Sequence, residues 1–329
     1  LSECLVQTSG LNELLEAIRV IAPRVGLLGY QPGDEALIDQ PRLRYIVARQ
    51  GLSPAVGESV DEYREALYLT LVVTALDPSV IDLLIEELRE RCPSLMGVAL
   101  HINRLSGNAI FDHEQSTDHR WGESVLCHLL RPLPESPPIA IQLSASSFAQ
   151  VNPEVAEAAY QAVVSGLDPQ PGERALDVYC GVGSIGLLLA ARARERGGPL
   201  SRLYGLEETE SSLRDAEQNA LQLKIDEARF ILGRAEEKIA ALLSESSCQP
   251  HHPLVVALNP SRRGCQPEVL SAIADLKPRR IAYMSCHAKT LARDLSRLAE
   301  HGYTAETLTF FDMFPGSVHY ETVTILSPR

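Results

Sequence analysis

The stretch Asp177-Val-Tyr-Cys-Gly181-Val-Gly183-Ser-Ile-Gly186 decides the fold, because it joins an apolar strand pattern to an apolar helix pattern. Glycines at such a turn let the backbone bend tightly and approach a ligand closely, while the helix presents its amino end to that ligand. The stretch therefore predicts a strand-to-helix turn that binds a nucleotide-like cofactor.

Strand and helix patterns alternate around this turn, from Arg174 to the end of the chain. The predicted strands are Ala175–Val178, Arg202–Leu206, Arg229–Leu232, Leu254–Leu258 and Arg280–Ser285. The predicted helices are Ile185–Arg194, Ser211–Leu223, Ala235–Leu243, Pro267–Leu276 and Ala288–His301. Such alternation predicts an α/β domain with a doubly wound parallel sheet. The last strand patterns, Tyr303–Phe311 and Val318–Leu326, have no helix between them, so we expect a terminal antiparallel hairpin, which is typical of class I methyltransferases.

The first part of the chain has a different pattern, which predicts a smaller mixed α+β domain with antiparallel pairing. The expected elements are strands Leu43–Arg49, Ala66–Ala75, Met96–Asn103, Ala109–Phe111 and Val125–Leu130, and a helix over Val80–Cys92. Four prolines in Arg131–Pro138 predict a connector, because proline fits neither a helix interior nor a central strand. We therefore expect domains at 1–138 and 139–329, with a short strand Ile139–Leu143 and then a helix whose first turn carries Pro153.

Composition limits the function classes. The 30 basic and 43 acidic residues give a net charge of -13, which argues against bulk coating of nucleic acid, so an RNA partner requires a local basic patch. We expect that patch around the site, from Arg262, Arg263, Arg279, Arg280, Lys289, Arg293 and Arg297. No run approaches the roughly 18 apolar residues of a membrane span, and the seven scattered cysteines indicate a reducing, cytoplasmic compartment. Cys248 with His251 and His252 fits no usual zinc spacing, so we expect no bound metal. We also expect a monomer.

Two carboxylates flank the glycine turn. Asp177 stands where a carboxylate meets the amino acid part of S-adenosylmethionine, and Glu207 ends the next strand, where it can accept hydrogen bonds from both ribose hydroxyls. An acid at that strand end also suits NAD, and the Gly-x-Gly-x-x-Gly spacing describes both kinds of site. These residues alone therefore leave a methyl donor and a nicotinamide cofactor open.

Two further residues have the character of catalytic groups. Cys286 directly follows a predicted strand and precedes a helix, where the helix dipole favours a thiolate and thus a nucleophile. Glu321 lies in an apolar-rich turn beside the sheet edge, where burial can raise the pKa of a carboxyl and prepare it for proton transfer.

Six runs, taken in order, resemble the motifs of the RNA 5-methyluridine methyltransferases, which methylate C5 of uridine in transfer and ribosomal RNA. The matching runs are Phe148-Ala-Gln150-Val-Asn152, Asp177 to Gly183, Gly205-Leu-Glu207, Asn219-Ala220, Ser285 to Asp294 and Asp312 to Glu321. The resemblance covers residues 140–329 well and 40–140 loosely.

The resemblance implies an S-adenosylmethionine-dependent enzyme that acts on rRNA or tRNA. Uracil C5 is a poor nucleophile, so Cys286 would add to C6 to activate the base, and Glu321 would remove the C5 hydrogen after methylation. The residues that match positions contacting or lying beside the cofactor are Gln150, Tyr179, Gly181, Gly183, Ser184, Glu207, Arg234 and Asn259. Arg234 matches weakly, and Asn152 is interpreted as structural.

Three departures from the family pattern favour an alternative. Asn259 replaces an acid, Ser261 replaces a proline, and His287-Ala288 stands where the family has Asn-Pro. The alternative is a non-catalytic RNA-binding or regulatory descendant that retains the fold. The presence of both Cys286 and Glu321 favours the enzyme.

Overall fold

A computed structural model describes residues 7–31, 34–53, 63–112, 114–145, 147–244 and 253–329. The chain divides into two compact units, one formed by residues 1–128 and 143–146 and the other by residues 129–142 and 147–329. The expected division into domains at 1–138 and 139–329 stays a prediction.

The first unit is built on a mixed sheet. Its elements are α1 (Ser9–Arg24), β1 (Leu28–Gly29), β2 (Arg42–Ser53), β3 (Arg64–Val73), α2 (Pro78–Arg91), β4 (Leu95–Ile102), β5 (Thr117–Gly122) and β6 (Val125–Leu130). The strands lie in the order β5-β4-β3-β2-β6, with β1 beside β2. Apolar residues of α1 and α2, such as Leu14 and Leu84, pack with Leu69 and Leu71 of β3 in one core. The next strand, β7 (Ile139–Ser144), contributes residues to both units.

The sequence predictions for this unit were correct in part: β2 pairs antiparallel with β3 and β6, and β4 with β5, as expected, whereas one predicted strand was wrong. Ala109–Phe111 forms bends rather than a strand, because the Asn103 amide donates to the carbonyls of Ala109 and Ile110 at 2.7 and 2.8 Å and fixes a loop. The strand beside β4 is instead β5, which is polar and largely exposed. Strands β3 and β4 pair in parallel, because α2 carries the chain back between them. Helix α1 was not predicted at all.

The second unit is the predicted doubly wound sheet. Its helices are α3 (Pro153–Leu167), α4 (Ser184–Glu195), α5 (Glu210–Gln222), α6 (Ala235–Ser244), α7 (Pro267–Asp275) and α8 (Ala288–Glu300). Its strands are β8 (Arg174–Val178), β9 (Arg202–Glu207), β10 (Ala228–Leu232), β11 (Leu254–Leu258), β12 (Arg280–Ser285), β13 (Tyr303–Phe311) and β14 (Glu321–Pro328). The order is β10-β9-β8-β11-β12-β14-β13, with β14 antiparallel to both of its neighbours. The α/β class and the terminal antiparallel hairpin are therefore confirmed.

The direction of α3 places its first residues at the same sheet edge as the glycine turn. Arg280, the first residue of β12, donates to the carbonyl of Gly166 near the end of α3 at 2.6 Å. Gly166 also packs so closely on Ile325 of β14 that an added Cβ would lie 2.2 Å from its Cδ1. Because α3 ends near the amino end of β12, it begins near the carboxyl ends of the parallel strands, where ligands bind in such sheets.

Candidate active site

The glycine turn has the backbone that its sequence predicted. Gly181 and Gly183 have φ angles of 55° and 83°, in the left-handed region that favours glycine. Gly183 is the residue before α4, and Ser184 is the first residue of that helix. A Cβ built on Gly181 meets nothing within 4 Å, so the turn leaves space at that point for a ligand.

Asp177 lies beneath the turn and is almost completely buried, with 1% of its surface exposed. Its Oδ2 accepts a hydrogen bond from the Gly186 amide at 2.8 Å, whereas Oδ1 makes no hydrogen bond to any described residue. Burial raises the pKa of the carboxyl to about 7; the Gly186 hydrogen bond opposes this shift and the charge of Glu207 adds to it. The site thus contains a buried acceptor that a cationic ligand group would satisfy.

Glu207 ends β9, as predicted, and holds the turn. Its Oε2 accepts from the Gly181 amide and its Oε1 from the Thr209 amide, both at 2.9 Å. Each carboxylate oxygen has a second lone pair, so both remain able to accept a ligand hydroxyl. The same carboxylate can therefore order the glycine turn and bind a ribose.

Three of the predicted cofactor residues lie at the carboxyl ends of strands. Tyr179, at the end of β8, has a φ of 65°, and its side chain hydrogen-bonds the sulfur of Cys265. Asn259 follows β11, and its backbone amide donates to the Val178 carbonyl at 3.4 Å. Arg234 follows β10 and pairs with Glu236, with 60% of its side chain exposed.

The remaining predicted cofactor residue, Gln150, is half-buried just before α3. Asn152 caps that helix, because its Oδ1 accepts from the Val155 amide at 3.3 Å. This contact supports the structural interpretation of Asn152.

The described residues fit a nucleoside cofactor with a charged amino acid group. Gly181 leaves open space, Glu207 offers carboxylate oxygens at the end of the second strand, and Asp177 keeps one oxygen without a partner. No third carboxylate or metal-binding cluster is needed for that fit. Among the described residues, no three His, Cys, Asp or Glu side chains gather in a group that could hold a metal ion.

Cys286 and Glu321 meet at the end of two paired strands. Ser285 of β12 lies opposite Thr322 of β14, and the Thr322 hydroxyl donates to the Ser285 carbonyl at 2.9 Å. Cys286 follows Ser285 directly after the end of β12, and Glu321 precedes Thr322 as the first residue of β14. The antiparallel register thus brings together two residues that are far apart in sequence.

Burial dominates the electrostatics of this pair. Glu321 is 4% exposed, its Oε2 makes no hydrogen bond within the described chain, and burial raises the pKa of the carboxyl to about 7. Half-burial, and then the charge of Glu321, also raise the pKa of the Cys286 thiol. Burial thus acts against the thiolate that a helix amino end favours, and the nucleophilic role of Cys286 stays a prediction.

Arg262, expected only as part of a basic patch, acts on both Cys286 and Glu321. Its guanidinium hydrogen-bonds Cys286 and lowers the pKa of the thiol, and its charge lowers the pKa of Glu321. An arginine within the run Asn259 to Gly264, immediately after a parallel strand, was the available signal. Tyr160 of α3 was missed: burial, and then the charges of Asp177 and Glu321, raise the pKa of its hydroxyl, so it lies near both carboxyls.

The predicted basic patch was partly wrong. Arg279 and Arg280 lie at the amino end of β12, the opposite edge of the sheet, where Arg279 pairs with Glu173 at 2.6 Å. Arg293 and Arg297 both pair with the buried Asp294. Arg262, which contacts Cys286, is exposed, as are its neighbour Arg263 and Lys289, three residues after Cys286.

His287 stands where the family has asparagine, and it caps α8. It is the residue before α8, and its Nδ1 accepts from the Thr290 amide at 3.4 Å. This departure from the family pattern therefore leaves α8 with a capping side chain. Cys4, Cys248, His251 and His252 lie outside the described residues. Among the helices that the structure describes, none is long and apolar enough to cross a bilayer.

Comparison with known proteins places this site in a family. The family model described as tRNA (uracil-5-)-methyltransferase matches residues 138–329. An uncharacterized RNA methyltransferase of Halalkalibacterium halodurans is 32% identical over 326 residues, and one of Enterococcus faecalis is 31% identical over 322 residues. These alignments cover 99% and 98% of this chain, which spans 63% of the length of each relative.

A solved structure supports the fold. The tRNA (uracil-54, C5)-methyltransferase of Pyrococcus abyssi, in complex with S-adenosyl-L-homocysteine, superposes with a TM-score of 0.67 at 21% sequence identity. The match covers 99% of this chain and 69% of that protein. The second unit accordingly has the class I methyltransferase fold.

Proposed function

The chain belongs to the tRNA (uracil-5-)-methyltransferase family, and we propose that it is an S-adenosylmethionine-dependent uridine C5-methyltransferase of transfer or ribosomal RNA. The observation that carries the proposal is that the pairing of β12 with β14 brings Cys286 and Glu321 together at the edge of the sheet where the glycine turn also lies. A thiol and a buried carboxyl at one sheet edge are the two groups that uracil C5 chemistry requires.

Cys286 is the proposed nucleophile. Its thiolate adds to C6 of uracil, which forms an S–C6 bond, breaks the C5=C6 π bond and leaves an enolate with a nucleophilic C5. Arg262 favours the thiolate, because its guanidinium hydrogen-bonds the sulfur. Half-burial opposes this effect and favours the neutral thiol in the protein without RNA.

Glu321 is the proposed general base. After methylation its carboxylate takes the hydrogen from C5, C5=C6 forms again, and the S–C6 bond breaks to release the Cys286 thiolate. A carboxyl with a pKa of about 7 is well suited to this step, because it accepts a proton readily and is partly ionised at neutral pH.

The cofactor would be held by the glycine turn and its two carboxylates. Glu207 would accept hydrogen bonds from the ribose hydroxyls, and Asp177 would face the ammonium of the amino acid part. S-adenosylmethionine, when bound, supplies the methyl group. Gln150, Tyr179, Ser184, Arg234 and Asn259 are proposed to line the same site, as the family resemblance implies.

The test is nucleoside analysis of RNA treated with the purified protein. RNA from cells that lack the gene is separated into tRNA and rRNA fractions and incubated with protein and S-adenosylmethionine. We expect 5-methyluridine to appear in one fraction, and that fraction identifies the substrate class. A protein that binds RNA and cofactor and forms no 5-methyluridine in either fraction would overturn the proposal.

A non-catalytic RNA-binding descendant is the competing proposal. The side-chain amide of Asn259 stands where the family carries an acid, and this difference favours the non-catalytic alternative. The same experiment separates the two proposals, since a non-catalytic protein binds RNA and leaves its uridines unmodified.

A further inference from the structure

Asp294 is the centre of a buried hydrogen-bond network that the proposed chemistry does not use directly. It lies in the second turn of α8 and is completely buried. Its Oδ2 accepts from the Cys265 amide at 2.8 Å and from the Tyr283 hydroxyl at 2.7 Å, and its Oδ1 accepts from Arg293 Nε at 2.8 Å. A buried carboxylate is stable only with such donors, so this arrangement fixes three parts of the chain relative to one another.

These contacts hold the loop that carries Arg262. Thr290 Oγ1 donates to the Arg262 carbonyl at 3.2 Å, and Arg293 Nη2 donates to the Arg263 and Cys265 carbonyls at 3.0 and 3.2 Å. Helix α8 therefore contacts this loop at successive backbone positions. The first turns of the same helix follow Cys286 directly.

Gly264 makes this close approach possible. Its φ angle is 71°, and an added Cβ would lie 2.5 Å from Asp294 Oδ2 and 2.7 Å from Arg293 Nη2. Only glycine accommodates both the left-handed backbone and the neighbouring carboxylate. Gly264 of the loop thus packs directly against Arg293 and Asp294 of α8, which belong to a separate sequence motif.

We propose that Asp294 is a positioning residue, which holds Arg262 at the distance from Cys286 that the nucleophile requires. The role given to Cys286 rests on the proposed function. The effect is indirect. Asp294 acts through the loop that carries Arg262 and through helix α8, and not by contact with the Cys286 sulfur or the Glu321 carboxyl. Tyr283, three residues before Cys286 on β12, links the same carboxylate to the strand.

The substitution Asp294→Asn removes the charge at nearly constant volume. Three groups donate hydrogen bonds to the carboxylate and Arg297 pairs with it at 3.6 Å, whereas an amide has one acceptor oxygen and turns its NH2 toward one of the donors. The loop then loses a contact, and Arg262 is no longer held against Cys286. Because Arg262 lowers the pKa of the thiol, we expect the pH midpoint of Cys286 alkylation to rise.

The experiment measures the alkylation rate of Cys286 by mass spectrometry of its peptide, across a range of pH and without RNA or cofactor. Three variants of the full chain are compared with the wild type: Asp294→Asn, Arg293→Met and Glu173→Gln. Glu173 is the matched control, because it is a buried carboxylate that binds Arg279 at 2.6 and 2.7 Å at the opposite edge of the sheet. Thermal melting shows the loss of stability that both buried substitutions share.

We expect alkylation near neutral pH to slow by about threefold or more in Asp294→Asn, with a smaller effect in Arg293→Met and none in Glu173→Gln. Arg293→Met keeps the test decisive where Asp294→Asn does not fold, since 41% of the Arg293 side chain is exposed whereas Asp294 is fully buried. Wild-type alkylation in the folded variants, or equal slowing in Glu173→Gln, would overturn the positioning role. The readout needs no methylation, so its result is separate from that of the proposed function.

Discussion

Replacement of Glu207 by alanine tests how the cofactor site is built. In the structure the carboxylate accepts one hydrogen bond from Gly181 and one from Thr209, both at 2.9 Å. It is also the group proposed to accept two ribose hydroxyls. The alanine variant therefore loses the ligand contacts and the two bonds that shape the turn.

The size of the effect follows from those bonds. A hydrogen bond to a charged group contributes about 1.5–3 kcal/mol, so two ribose bonds amount to about 3–6 kcal/mol and a loss of at least about 100-fold in affinity. Glu207→Gln keeps one acceptor oxygen and turns its NH2 toward the Gly181 or the Thr209 amide, so we expect a weaker effect of about tenfold.

The assay is calorimetric titration with S-adenosylhomocysteine, together with thermal melting. Glu208→Gln is the matched control, because it removes one negative charge from the neighbouring exposed residue. We expect its affinity to stay within about twofold of the wild type.

Two results would refute the reasoning about Glu207. One is a Glu207→Ala variant that binds S-adenosylhomocysteine as tightly as the wild type. The other is a wild-type protein that ignores S-adenosylmethionine and S-adenosylhomocysteine but binds NAD, which would return the glycine turn to the nicotinamide alternative.

Two further predictions concern charge in the same unit. The pKa of Asp177 rises from 3.8 to about 7 on folding, so the folded state binds the extra proton and its stability falls as pH rises from about 4 to about 7. Asp177→Asn should remove up to about 4 kcal/mol of that fall, as measured by chemical unfolding at several pH values, and an unchanged pH dependence would contradict the burial argument. Asn259→Asp restores the family's acid without adding volume, so methylation of RNA should stay unchanged or increase; a large drop would mean that the pocket is built around the amide.

Much of the second unit could be predicted because its strands are short apolar runs separated by helices with clear ends. Strands β8 and β11 are buried throughout, and α3 begins with a proline after a capping asparagine. Such local signals depend on few other residues. Strand β5 is polar and largely exposed, so its sequence gives no apolar signal. Its place in the sheet is set by its pairing with β4.

The site could be predicted only as far as strand ends show it. Cys286 and Glu321 were identified separately, and the pairing of β14 with β12 that brings them together was not part of the prediction. The parallel direction of β12 puts Arg279 and Arg280 at the far edge, a consequence the predicted basic patch overlooked. The network around Asp294 depends on donors from three elements, and no local pattern reveals such a set.

The central claim is that Cys286 acts before methyl transfer and Glu321 after it. The most direct measurement is a denaturing gel of RNA incubated with Cys286→Ala, Glu321→Gln or wild-type protein, each with and without S-adenosylmethionine. We predict that Glu321→Gln methylates once and then stays covalently bound to the RNA through Cys286, only when the cofactor is present, whereas Cys286→Ala forms no complex. The wild type should be trapped in the same way by RNA that contains 5-fluorouridine, because fluorine cannot leave as a proton does. A protein that binds both RNA and cofactor, and yet gives neither a trapped complex nor 5-methyluridine, would contradict the claim.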